Sequence, residues 1–339
     1  MIVMLHILAL SNLPNSKLLN ISIQTLSYGV PFFFVISGYV ISLTSKDLFN
    51  GQTLQNYIVK RASKIIPLYF LFLTIWLTVF YISNQNGMAL PRNSPNELNV
   101  TFSNFLIHVF FLQGFFPSSL NSLLDGDWSI VNEVYFYILF PFLHLYAKNS
   151  LKKLLKVFFL SLLISLIFSL LNRAFLIGNE FSYYGFLNHF PMFVMGMIGF
   201  HLSKNDLTNS FISENRFLLL FIIFILSIGS ISFEGKIFGP EYIFSVLFLL
   251  TILVIGSFQE MNSLSITTFL AFIGKQSYSI YFTHLLLIKL TVSLYPMIYL
   301  ILPISLLQAN IFTGILLTIL FSNLIFNKID NYFVNKFRM

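Results

Sequence analysis

Nine apolar stretches run through this sequence at the length a membrane helix needs, near residues 27–45, 66–83, 129–147, 154–171, 186–203, 217–233, 241–258, 278–302 and 308–326. About 20 apolar residues rising 1.5 Å each cross roughly 30 Å of hydrocarbon. Lipid offers the backbone no hydrogen-bond partner, so each stretch must satisfy its own N–H and C=O groups as a helix. Only 9% of the 339 residues are charged and 57% are hydrophobic, with 42 Phe. A water-soluble domain carries about 25% charged residues, and this chain could not cover such a surface. The expected fold is all-α, a polytopic membrane helical bundle.

The absence of Cys excludes a disulfide framework and a Cys-ligated zinc or iron–sulfur site. No pair of His or carboxylates has a spacing that reads as a metal site, so no metal is expected. The net charge of +7 lies in short loops, where it orients membrane helices rather than binding nucleic acid.

The opening run, MIVMLHILAL, is too short to cross, since ten residues reach only about 15 Å. It either lies partly in the membrane or begins upstream of Met1, and it carries no basic region or cleavage site of a signal peptide. The segment 103–117 is interrupted by His108, Gln113 and Gly114. If it lies along the outer surface or re-enters, and the opening run counts as a span, fourteen of the nineteen basic residues fall in inner loops. Lys17, Arg92, Arg173 and Lys236 then face outward, and Lys289 is left inside a span. Ten spans with both termini cytoplasmic are therefore expected.

Five polar groups interrupt the apolar pattern. His6 lies in the opening run and is a candidate proton acceptor, or an interfacial His near a chain end. In FFFVISGYVIS, residues 32–42, Ser37 and Gly38 form a small-residue notch for a second helix or a ligand. Arg61 and Lys64, three residues apart before Pro67, share a helical face that suits phosphates or anchors the inner boundary. Glu133, with Trp128, Asn132, Tyr135 and Tyr137, opens a membrane helix near its outer end, opposite in depth to Arg61 and Lys64. An ionisable group there costs roughly 2.5–3.5 kcal/mol on insertion scales unless it snorkels, which makes it a functional candidate. The neighbouring Asp125 and Asp127 read as solvated loop residues. Finally Ser277, Tyr281 and His284 share one face of a hydroxyl-rich helix, as interhelical hydrogen bonds or substrate contacts. His144, His189 and His201, near span ends, read as anchoring or packing residues.

In order and spacing, these clusters resemble the acyltransferase-3 family of membrane acyltransferases. The likeness runs nearly end to end, through His6, FFFVISGYVIS, RASKIIPLYF (61–70), WSIVNEVYFYILFP (128–141), FPMFVMGM (190–197) and GKQSYSIYFTH (274–284). It implies transfer of an acyl group, most often acetyl, from acyl-CoA to a hydroxyl of a cell-surface carbohydrate such as exopolysaccharide or O-antigen. The setting is the cytoplasmic (inner) membrane of a bacterium and its cell envelope. Acetyl-CoA is then a donor substrate, no cofactor is permanently bound, and membrane lipid surrounds the chain. Under the resemblance His6 is the catalytic base or acyl relay and Glu133 the catalytic carboxylate. Arg61 and Lys64 hold the CoA phosphates, and Ser37 and Gly38 of the second-span motif fall on the donor side. Trp128, Tyr137, Ser277, Tyr281 and His284 are the polar residues that contact substrate or support the site.

Two departures stand out. The family's Arg about three helical turns before the first-span His falls ahead of Met1, and Lys64 stands where the family prefers Arg, keeping charge without the bidentate fork. Residues 1–339 are expected to form one domain with no fused extracytoplasmic domain. A transporter or flippase of a glycan intermediate is the rival reading. It predicts paired repeats and a single midplane site, and neither is visible. A noncatalytic scaffold is a second rival, in which His6 and Glu133 are dispensable. Acceptor choice is expected in the outer loops 84–127 and 172–185.

Overall fold

The structure is a computed structural model that describes residues 1–85, 99–148, 150–174, 179–231, 239–258 and 265–336. Arg92, Lys236 and parts of both candidate acceptor loops lie outside these residues, as does the side chain of Arg173. In chain order the helices are α1 (Ile2–Ala9), α2 (Lys17–Ser27), α3 (Gly29–Thr44), α4 (Leu54–Gln85), α5 (Phe102–Val109), α6 (Asp127–Ala147), α7 (Leu151–Ala174) and α8 (Asn179–Tyr184). They continue with α9 (Phe186–Leu202), α10 (Asp206–Ile231), α11 (Pro240–Gly256), α12 (Ser265–Lys275), α13 (Ser277–Ile301), α14 (Leu306–Ile311), α15 (Thr318–Ile325) and α16 (Asn331–Lys336). No strand forms among the described residues.

Among the described residues, seven helical segments are long and apolar enough to cross a membrane: Lys17–Thr44, Leu54–Gln85, Asp127–Ala147, Leu151–Asn172, Asp206–Gly229, Ser277–Ile301 and Leu306–Ile329. All nine apolar runs are thus helical over their described residues, but α9 and α11 have only 17 residues each. The opening run gives α1, eight residues that reach about 12 Å, packed on α2, α13 and α14. The chain is an all-α membrane protein.

Two elements differ from their expected bounds, and both matter for the site. α4 is 32 residues long and starts at Leu54 rather than near residue 66, running through Pro67. A membrane helix tolerates the lost N–H because neighbouring helices and local adjustment re-satisfy the backbone. Segment 102–115 tucks its polar side inward: Asn104, His108 and Gln113 are buried while Phe102, Phe110 and Phe115 are exposed. That inside-out pattern fits a re-entrant piece with apolar groups toward lipid.

The tightest helix pair is α3 on α9. A Cβ on Gly38 would run into the Phe193 carbonyl, and one on Gly196 into the Val35 carbonyl. The two backbones touch because both positions lack side chains. Around them Phe34, Phe136 and Phe193 form the core, with Phe136 stacked on Phe193 at 4.3 Å. Gly196→Ala must push the helices apart and is expected to cost about 1–3 kcal/mol, the usual range for overpacking. Gly229→Ala, with open space around it, should leave the unfolding midpoint in detergent unchanged or slightly raised; equal midpoints for the two variants would refute the close contact.

Candidate active site

α6 and α13 run antiparallel, and their facing polar side chains form a ladder through the bundle. At its first rung Glu133 Oε1 accepts from Ser37 Oγ at 2.6 Å and from Tyr137 OH at 2.5 Å. The Tyr137 hydroxyl lies 3.0 Å from that of Tyr278. Glu133 Oε2 is buried with no hydrogen-bond partner among the described residues, so one carboxylate oxygen remains to accept from a bound molecule.

The cations join this rung. The Arg61 guanidinium sits 5.5 Å from the Tyr137 ring centroid, and Lys64 Nζ 4.7 Å from that of Tyr278. Arg61 Nη2 also donates to Thr44 Oγ1 at 2.5 Å and Ser45 Oγ at 3.2 Å, which ties it to the end of α3. Glu133 is therefore not opposite in depth to Arg61 and Lys64, as the span boundaries suggest. The longer α4 carries the cations two turns inside its helix, and the first turns of α6 are covered by the 102–115 segment, so Glu133 is also two turns in. Between α4 and α6 opens a cavity of about 560 Å³, lined by apolar side chains such as Ile65, Val134 and Phe142, with Arg61 and Tyr137 in its wall.

The next rung is Tyr281, whose hydroxyl accepts from Ser129 Oγ at 2.6 Å and donates to the Gly126 carbonyl at 2.7 Å. Gly126 has φ +83°, a left-handed turn that favours glycine and aims its carbonyl at α13. One turn further His284 lies beside His6, with His6 Nδ1 and His284 Nε2 3.1 Å apart. His284 Nδ1 meets the Ile280 carbonyl at 2.9 Å. At the last rung Lys289 and Asp125 form an ion pair, both buried, with Lys289 Nζ 5.5 Å from the Trp76 ring centroid. From Tyr278 to Lys289 the ladder extends roughly 16 Å, eleven residues of α13 at 1.5 Å each, about half the hydrocarbon thickness.

Asp125 and Asp127 are not solvated. Asp127 is fully buried, its Oδ2 accepting from Gln113 Nε2 at 3.0 Å and facing His108 Nε2 at 3.3 Å. Gln113 reaches Tyr69 OH at 2.9 Å. The sequence places these acids in a polar loop, and their partners arrive from the re-entrant segment and from α13.

Most of the residues expected at the site meet here: His6, Ser37, Arg61, Lys64, Glu133, Tyr137, Tyr281 and His284. Gly38 instead packs against α9. Trp128 is a core residue, edge-on to Phe34 at 6.0 Å. Ser277 is half-buried at the first residue of α13 and takes no part in these bonds; Tyr278, one residue on, occupies the rung. His189 is buried and donates to the Tyr183 carbonyl at 2.6 Å, a packing role as expected.

Residues 1–326 match a protein family described as an acyltransferase domain. Relatives in Staphylococcus aureus strains COL and MSSA476, provisionally named O-acetyltransferases, are 26% identical over 291 residues, covering 79% of this chain and 47% of theirs. The chain thus spans about half the length of these relatives. An uncharacterised Haemophilus influenzae protein is 27% identical over 157 residues, 44% of this chain and 61% of its own. No solved structure matches.

Proposed function

We propose, from the premise that this chain belongs to the acyltransferase-3 family, that it moves an acetyl group from acetyl-CoA onto a carbohydrate hydroxyl at a bacterial cytoplasmic membrane. The observation that carries this reading is the ladder itself: two cations at one end, a carboxylate with a spare oxygen beside them, and paired imidazoles about 9 Å further along α13. A transferase working across a membrane needs an anion anchor where the donor enters and a base where the acceptor waits. With the Lys- and Arg-rich loops cytoplasmic, the Arg61 end of the ladder faces the donor.

Arg61 and Lys64 hold the CoA phosphates by charge-assisted hydrogen bonds. The apolar cavity between α4 and α6 suits the pantetheine arm and excludes water that would hydrolyse the thioester. Glu133 Oε2 orients a second hydroxyl of the sugar, and His6, about 9 Å further along the ladder, accepts the proton of the attacking hydroxyl or carries the acyl group.

Membranes expressing the chain and given labelled acetyl-CoA on the cytoplasmic side should place ester-linked label in the glycan fraction. No label from folded protein with intact host glycan would count against the reading. Arg61→Ala should raise KM for acetyl-CoA about 10- to 100-fold, since each hydrogen bond to a charged group contributes roughly 1.5–3 kcal/mol, and leave kcat nearly unchanged. An unaltered KM would remove Arg61 from the donor site.

A further inference from the structure

Two histidines in contact raise a question that the family assignment does not answer: which ring acts, and through which nitrogen. The Ile280 carbonyl can only accept, so His284 Nδ1, 2.9 Å from it, carries a proton. In the neutral ring His284 Nε2 is then a bare lone pair. That lone pair faces His6 Nδ1 at 3.1 Å, so the proton between the rings belongs to His6 Nδ1. The consequence for His6 is that Nε2 is left unprotonated. The Ile2 carbonyl, four residues back on α1 as Ile280 is on α13, is the ring's other acceptor partner, and His6 is half-buried rather than sealed in the core.

We infer that His284 is a positioning residue that fixes the tautomer of His6, making His6 Nε2 the atom that reacts. His284 itself has no nitrogen to offer, since one donates to its own helix and the other accepts from His6. It stands where a carboxylate stands behind the imidazole of a hydrolytic triad, holding the ring's orientation and proton placement. The helix does the rest: the Ile280 carbonyl is the normal acceptor four residues back, so α13 geometry sets the direction of the whole relay.

The inference rests on the acyl-transfer reading for its chemistry. There, Nε2 takes the proton of the acceptor hydroxyl as the oxygen attacks the thioester carbonyl. The C–S bond then breaks, and the proton returns from Nε2 to the departing thiolate. If the acyl group passes through the ring, the same lone pair attacks the carbonyl and expels the CoA thiolate, after which the acceptor hydroxyl displaces the ring from the acyl-imidazole and its proton passes to the thiolate. Either route fails when Nε2 is protonated.

The test combines kinetics with 15N spectroscopy of histidine-labelled protein, in which the ring signals of His6 are identified by their loss in His6→Ala. The wild type should show His6 protonated at Nδ1 and bare at Nε2. His284→Leu removes the imidazole acceptor and leaves only the Ile2 carbonyl; it should shift part of the proton population toward Nε2 while kcat falls at least about tenfold, short of the roughly 10⁴ seen when a triad carboxylate is replaced, with KM for acetyl-CoA unchanged. His284→Gln returns an acceptor oxygen near the lost Nε2 and should restore both the tautomer and most of kcat. A wild-type ring protonated at Nε2 would overturn the inference, as would His284→Leu protein that keeps tautomer and rate. The spectroscopic arm stands alone: a bare Nε2 in protein that transfers no acyl group would sink the acyltransferase reading and leave the tautomer assignment intact.

Discussion

His6→Ala is expected to lower acetyl transfer by about 10²–10⁴, the usual contribution of a placed proton acceptor, while leaving the fold in place. A sugar hydroxyl is a weak nucleophile at neutral pH, and the imidazole beside His6 could not take over, since His284 is committed to Ile280 and His6. α1 is held by contacts that do not involve the imidazole, chiefly fully buried Ile7 and the Ser11–Asn310 hydrogen bond at 3.0 Å. The variant should therefore unfold at the wild-type temperature. The measurement is initial rate of label transfer at saturating acetyl-CoA, normalised to folded protein. Unchanged transfer would remove His6 from the chemistry and favour a noncatalytic or transport role. A fall in rate matched by a fall in folded protein would make His6 a structural residue only.

Much of this site was legible in the sequence, for a physical reason: lipid makes every polar side chain within a span conspicuous. Ser37, Arg61, Glu133, Tyr137 and His284 stand out against apolar neighbours, and each lies on the ladder. What the sequence could not supply was the pairing. Ser277 was expected to share a face with Tyr281 and His284, yet Tyr278 takes the rung because α6 brings Tyr137 to that side of α13. Depth was misjudged where helices outrun their apolar cores, as α4 does by starting at Leu54. Asp125 and Asp127 look like loop residues because their cationic and imidazole partners are remote in sequence, Lys289 being 164 residues from Asp125. One signal did exist: Lys289 was the single basic residue that no loop could claim, and a lysine inside a span needs a partner. Asp127 offered no such flag, since His108 belongs to a segment too short to be read as buried.

Lys289→Met should be the most destabilising single change in the ladder, by about 3–5 kcal/mol, because it leaves the buried Asp125 carboxylate without its cation. Losing the cation costs more than the pair itself is worth. Replacing both residues, Lys289→Met with Asp125→Leu, should recover most of the loss, since apolar substitutes for a buried ion pair are often neutral or stabilising. Unfolding midpoints of wild type, both single variants and the double variant in the same detergent form the cycle that measures the coupling; a Lys289→Met protein as stable as wild type would refute a buried, mutually dependent pair. The pair has a second consequence because of where it sits. Asp125 precedes Gly126, whose carbonyl receives Tyr281, and Lys289 lies five residues beyond His284 on α13. It thereby pins the register of α6 against α13 at the end nearest the histidines, on which the Ser129–Tyr281 and Tyr137–Tyr278 rungs both depend. If the double variant regains both stability and transfer, the pair acts through register alone. If it regains stability but transfers slowly, the positive charge of Lys289 itself acts at His6, and the working site extends one rung further along the ladder.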